Sequence, residues 1–104
     1  MRRIFPLALT TIALAAASTA TLANPALAQQ KNCMACHAVA TRVVGPSYKE
    51  IAARYATQDD ALAQLSERVV TGSTGRWGFV PMPPNAQVSA DEAKALTAWI
   101  LQQK

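Results

Sequence analysis

Both cysteines and the only histidine of this chain fall in one short run, Cys33-Met34-Ala35-Cys36-His37. Nothing else constrains the fold as strongly, because all the soft and imidazole ligand chemistry is gathered at one turn. Two cysteines allow at most one disulfide, and a domain of this size ordinarily needs a staple, a metal or some other filler for its core. The rest of the chain must fold around whatever this turn holds.

The N-terminal segment differs in character from the remainder of the chain. Met1-Arg2-Arg3 is a short basic start, and Ile4 to Ala23 is uncharged, apolar and rich in Ala and Thr. This is the pattern of a secretory signal peptide, residues 1–23. A permanent membrane anchor is the rival reading, since the run is just long enough to span a bilayer. Small residues stand before a cut after Ala23, and Ala26-Leu27-Ala28 offers a second site. The first is preferred, because Asn24 can then N-cap a helix that has Pro25 at its first position. Removing Arg2 and Arg3 takes the formal charge from +4 to +2. No basic stripe remains, and nucleic-acid binding is not indicated.

After Ala23 the pattern is helical and without repeats. Ser47 to Glu50 fits a capping box, opening a short helix through Tyr55 with Ile51 and Tyr55 on one face. Thr57 or Gln58 opens a second helix, in which Leu62, Leu65 and Val69 share a face and Gly72 supplies the stop. Ser89 to Glu92 is another capping box, starting a helix lined by Ala93, Leu96 and Ile100 with Trp99 beside them. No segment alternates as a strand would. The expectation is an all-α domain of about four short helices over residues 24–104, joined by two long loops, 38–46 and 72–88. Long ordered loops need something to order them.

Cys33, Cys36 and His37 match C-x-x-C-H, the attachment signature of c-type haem. Residues three apart on a helical turn share a face, so both sulfurs can reach the two vinyl groups of one porphyrin. The adjacent His37 then offers its imidazole to the iron as proximal ligand. Such attachment takes place outside the bacterial cytoplasm, which agrees with the signal peptide. Zinc would need four ligands, and a thioredoxin-like pair expects a βαβ pattern that is absent.

With a single histidine, bis-histidine ligation within the chain is impossible. Met1 lies in the leader and Met34 sits between the cysteines, too close to reach the opposite haem face. Met82 remains, in Val80-Pro81-Met82-Pro83-Pro84-Asn85, where prolines stiffen the backbone. It is the expected sixth ligand, with an open sixth site as the alternative.

From residue 24 to 104 the chain resembles the small bacterial class I cytochromes c, specifically the cytochrome c-551 group. The matching stretches are NCMACHAV, VGPSYKEIAARYA, GSTGRWGFVPMPPN and SADEAKALTAWILQQK. The segment before Cys33 is slightly shorter than is common in that group. The resemblance implies four short helices wrapped around one haem c, covalently held through Cys33 and Cys36. It implies that the Pro46 carbonyl accepts from the His37 ring, that Trp77 and Arg68 reach a haem propionate, and that Asn85 hydrogen-bonds near the Met82 sulfur. Bare reading makes these a turn proline, a core aromatic, a solvated arginine and a turn asparagine.

The expected function is that of a monomeric periplasmic one-electron carrier with His37/Met82 ligation, and not an enzyme. No nucleophile–base pair, carboxylate pair or phosphate loop is visible; Asp59-Asp60 and Asp91-Glu92 read as helix-start acids. The family implies a membrane quinol-oxidising complex as donor. A nitrite reductase, terminal oxidase or peroxidase would be the acceptor. Docking should use a small apolar patch at the haem edge, rimmed by Lys31, Arg42 and Lys49. A haem-based ligand binder with a labile sixth position and a non-haem C-x-x-C redox protein are the competing classes.

Overall fold

The computed structural model describes residues 12–13 and 25–104. In chain order it contains α1 (Pro25–Gln30), a 3₁₀ turn (Cys33–Ala35), α2 (Tyr48–Tyr55), α3 (Ala61–Thr71) and α4 (Ala90–Leu101). Among the described residues there is no sheet; His37 with Arg42 and Ser73 with Met82 form isolated bridges. Apart from residues 12–13, the leader lies outside the described residues, as do its cut after Ala23 and the capping residue Asn24. Among those described, no helix is long and apolar enough to cross a membrane.

Two helices start where their capping boxes say. Ser47 Oγ accepts from the Glu50 N–H at 3.1 Å, and Glu50 Oε2 accepts from the Ser47 N–H at 2.7 Å. Ser89 and Glu92 repeat the exchange at 3.1 and 3.0 Å. Each box satisfies two amides that the first turn would otherwise leave orphaned. Helix α3 begins at Ala61 rather than at Thr57 or Gln58, because Gln58 N–H donates to Tyr55 O and Ala61 N–H to Gln58 O, a tight turn that delays the helix. Asp60 is its N-cap residue, yet its carboxylate accepts from the Gln64 side chain instead of from first-turn amides. At the other end Gly72, at φ 86°, stops α3 as its position predicts.

Helix α4 packs against both α2 and α3. Leu27, Ala28, Val88, Ala93 and Leu96 form the buried cluster, with Val69, Val70 and Trp99 against it. This core is small, and α1 belongs to it through Leu27 and Ala28. Lys31 ties α1 to α4: its Nζ lies 3.0 Å from Glu92 Oε2 and donates to the Gln87 carbonyl at 3.1 Å. Gln87 Nε2 returns a bond to the Lys31 carbonyl at 3.1 Å. Lys31 thus clasps α1 to the start of α4 at the protein surface.

Hydrogen bonding to Ser89 at the helix start, followed by the Lys31 ammonium, lowers the Glu92 pKa. A carboxylate whose pKa is lower folded than unfolded adds stability above its unfolded value and loses it as pH falls through the folded one. Glu92→Gln should therefore flatten part of the acid limb of the stability–pH curve, measured by urea unfolding from neutral pH down through the carboxylate range. Parallel curves for parent and variant would show that Glu92 contributes nothing there.

Candidate functional site

The cysteine turn is tighter than an α-helical turn. Cys36 N–H donates to Cys33 O at 3.2 Å and His37 N–H to the same oxygen at 3.0 Å. In a 3₁₀ turn, side chains three apart eclipse, so the two sulfurs sit on one side. Asn32, in the left-handed region at φ 63°, makes the sharp entry from α1. The two cysteines are not joined to each other; Cys33 is half-buried, and burial raises the pKa of its thiol, while Cys36 is exposed.

Three neighbours fix the His37 ring. Its Nδ1 lies 2.7 Å from the Pro46 carbonyl, which can only accept, so Nδ1 carries the proton and Nε2 keeps its lone pair. Tyr48 stacks on the ring with centroids 5.5 Å apart and planes 23° apart. Gly45 lies so close that an added Cβ would stand 2.6 Å from Cε1. Tyr48 is itself locked: Trp99 meets it edge-on at 5.1 Å, and its hydroxyl donates to Met34 Sδ at 3.4 Å. Burial, with Cys33 alongside, pushes the Tyr48 phenol well above its ordinary pKa.

Met82 is placed by its backbone. Its N–H donates to Ser73 O at 2.8 Å and its carbonyl accepts from Ser73 N–H at 3.0 Å, which pins the proline-rich arm to the end of α3. Gly72 makes that approach possible, since a Cβ there would meet Met82 O at 2.8 Å. Asn85 anchors the far end of the arm: its N–H donates to Val70 O at 3.2 Å, and its Nδ2 to Val69 O at 2.8 Å and Pro83 O at 3.3 Å.

These elements surround a cavity of about 460 Å³. Cys33, Cys36, His37, Pro46, Arg68, Trp77 and Met82 all line it, among apolar walls that include Ile51, Leu65, Val69 and Leu96. Asn85 does not line it, and its amide goes to carbonyl oxygens rather than toward the Met82 sulfur. Arg68 also departs from a solvated arginine: its guanidinium donates to Tyr55 Oη at 2.8 Å and Gln64 Oε1 at 3.0 Å. Arg42 donates to the Trp77 carbonyl at 2.6 Å and, like Lys31, is bound within the chain.

A covalently held porphyrin fits this chamber on three observations. Cys33, Cys36, His37 and Met82 all line it, and the His37 ring turns Nδ1 to Pro46, which leaves Nε2 as its other nitrogen. Gly45 leaves room for the ring of His37. The Thr97 hydroxyl oxygen, in the wall and only 1 % exposed as a residue, is buried without a hydrogen-bond partner among the described residues. Buried hydroxyls are rarely left so. Among the described residues, no group of His, Cys, Asp and Glu could hold a bare metal ion. Sequence reasoning missed Gly45, Thr97 and the part that Tyr48 and Gly72 play at the site. A glycine next to Pro46 and a tyrosine in a capping box carry no local mark of lying against the histidine.

Comparison with known proteins agrees with this chemistry. The family model described as cytochrome c matches residues 24–104. Cytochrome c-552 of Nitrosomonas europaea is 54% identical over 79 residues, covering 76% of this chain and 77% of that protein. Cytochrome c-551 of Pseudomonas aeruginosa is 54% identical over 78 residues, covering 75% and 74%. The crystal structure of wild-type N. europaea cytochrome c552 matches with a TM-score of 0.76 at 53% identity, over 78% of this chain and 100% of that one.

Proposed function

Because this chain belongs to the cytochrome c family, we propose that it is a periplasmic one-electron carrier whose haem iron is held between His37 and Met82. Family membership makes it a small c-type cytochrome, an electron carrier that binds haem c covalently through its C-x-x-C-H motif. The observation behind the choice of axial ligands is the shared cavity, lined by both His37 and Met82.

When bound, the haem supplies one-electron chemistry at an iron that needs no substrate site. The residues do the rest. Cys33 and Cys36 would hold the group as thioethers. The Pro46 carbonyl holds the proton on Nδ1, so that Nε2 is the nitrogen that would face the iron. Met82 would supply the thioether that raises the potential relative to a second nitrogen ligand. With His37 and Met82 both holding the group, no residue would need to leave for an electron to pass, and the prolines beside Met82 would keep its backbone in place.

Arg68 commits N–H groups to Tyr55 and Gln64, and the guanidinium has further donors to offer a haem propionate. Trp77 is the second propionate candidate. Asn85, holding Val69 and Pro83, would act on Met82 by fixing the arm.

The leader reading gains support from the fold. A cut after Ala28 would sever α1 beside its core residues Leu27 and Ala28, whereas a cut after Ala23 spares the whole helix. The family match also begins at residue 24. Export to the periplasm goes with this reading, with a membrane quinol-oxidising complex as donor and a nitrite reductase, terminal oxidase or peroxidase as acceptor. Phe79 and Val80, both exposed and both at the cavity, offer the apolar patch for transient docking.

Carbon monoxide added to the reduced, haem-loaded protein tests the reading. An unchanged low-spin spectrum is expected. Prompt carbon monoxide binding would mean an open sixth position and a ligand-binding role.

A further inference from the structure

The chain between Ser73 and Met82 closes on itself through the backbone pair of those two residues. Residues 74–81 contain no helix or strand and two glycines at positive φ, Gly75 (71°) and Gly78 (126°). Segments of this kind ordinarily open most easily. Two arginines from elsewhere hold this one.

Arg54, in the last turn of α2, sets its guanidinium carbon 4.3 Å from the centroid of the Trp77 ring and donates Nη1 to the Arg76 carbonyl at 2.7 Å. Arg42 donates Nη2 to the Trp77 carbonyl at 2.6 Å, and its own backbone is bridged to His37. All three contacts fall on two consecutive residues in the middle of the loop. A planar guanidinium can stack on an indole and bond a carbonyl at once, which an ammonium cannot. Arg42 thus links the backbone of His37 to the loop that ends in Met82, and Arg54 braces the same loop from α2.

We propose that Arg54 and Arg42 form a latch that holds loop 73–82 closed and thereby sets how readily the Met82 thioether leaves the haem iron. Both are positioning residues, and the inference rests on Met82 as sixth ligand. With the latch closed, Trp77 stays at the cavity and the Met82 arm keeps its register on Ser73. With it broken, the hydrogen bonds left to the loop among the described residues are the two backbone bonds to Ser73 at one end and the Asn85 anchor beyond.

The test uses the haem-loaded, oxidised protein mixed with cyanide, which takes the ferric iron once Met82 has left it. Arg54→Gln should bind cyanide about fivefold faster than the parent, equivalent to about 1 kcal/mol of lost closure. Arg54→Lys should fall near Arg54→Gln, and the double variant with Arg42→Gln should be faster still. Amide hydrogen exchange at Trp77 and Gly78 should rise in step while α4 stays protected. Parent-like cyanide rates and loop exchange in the double variant would overturn the latch. A parent that takes carbon monoxide at once would overturn the Met82 reading instead; loop exchange in Arg54→Gln then decides the latch by itself, rising if it exists and unchanged if it does not.

Discussion

Replacing Met82 by alanine is expected to give a folded, haem-loaded protein that binds carbon monoxide when reduced and has a much lower potential. The arm is held by the backbone of residue 82, which pairs with Ser73 in both directions, and by Asn85 on Val69 and Val70. None of these bonds uses the thioether. Pro81, Pro83 and Pro84 continue to restrict the path. If Met82 ligates the iron, the substitution therefore removes the ligand and leaves most of its scaffold. Loss of a methionine ligand should lower the potential by on the order of 0.2 V, a fraction of the ~0.8 V range that axial ligands set. Potentiometry and the reduced spectrum under carbon monoxide check this. An unchanged spectrum and potential would remove Met82 from the site.

Gly45→Ala should damage the other side of the iron. The new Cβ would sit 2.6 Å from His37 Cε1 and 3.0 Å from Nδ1, so the ring must move. It has little freedom, because Pro46 holds Nδ1 and Tyr48 covers the ring. Overpacking of about 1–3 kcal/mol adds to a lost hydrogen bond of about 1 kcal/mol. Against total stabilities of roughly 5–15 kcal/mol, that is a large share for a small domain. Expected results are a lower yield of low-spin protein, a lower urea midpoint and a shifted potential. Gly75→Ala is the matched comparison: at φ 71° its Cβ meets no protein atom within 4 Å, so it carries about 1–2 kcal/mol of backbone strain without touching His37. If Gly45→Ala behaves like Gly75→Ala, the close approach to His37 has no bearing on the iron.

How far each feature can be read from the chain alone depends on the range of its signal. Capping boxes are local grammar, and Ser47 and Ser89 each start a helix where they stand in the chain. Gly72 stops α3 for an equally local reason. The start of α3 is the exception, because an acid pair ahead of an apolar run fits a cap and a turn equally well. The haem turn is legible because C-x-x-C-H compresses two attachment points and a ligand into one stretch. Contacts between loops are not. Lys31 and Glu92 are far apart in sequence, as are Arg42 and Trp77, and no periodicity joins them. Two charges expected at the rim therefore also make surface contacts within the chain. Asn85 stands out in the sequence for its place after a double proline, yet its amide reaches Val69 on α3, a contact only the folded chain brings about.

The most direct test of His37/Met82 ligation is the proton spectrum of the reduced, haem-loaded protein. If Met82 ligates the iron, its side-chain methyl lies over the porphyrin face and must resonate far upfield of ordinary methyl signals, and that resonance must vanish in Met82→Ala. A methionine methyl at ordinary shift in a protein whose iron is otherwise low-spin would contradict that pair of ligands.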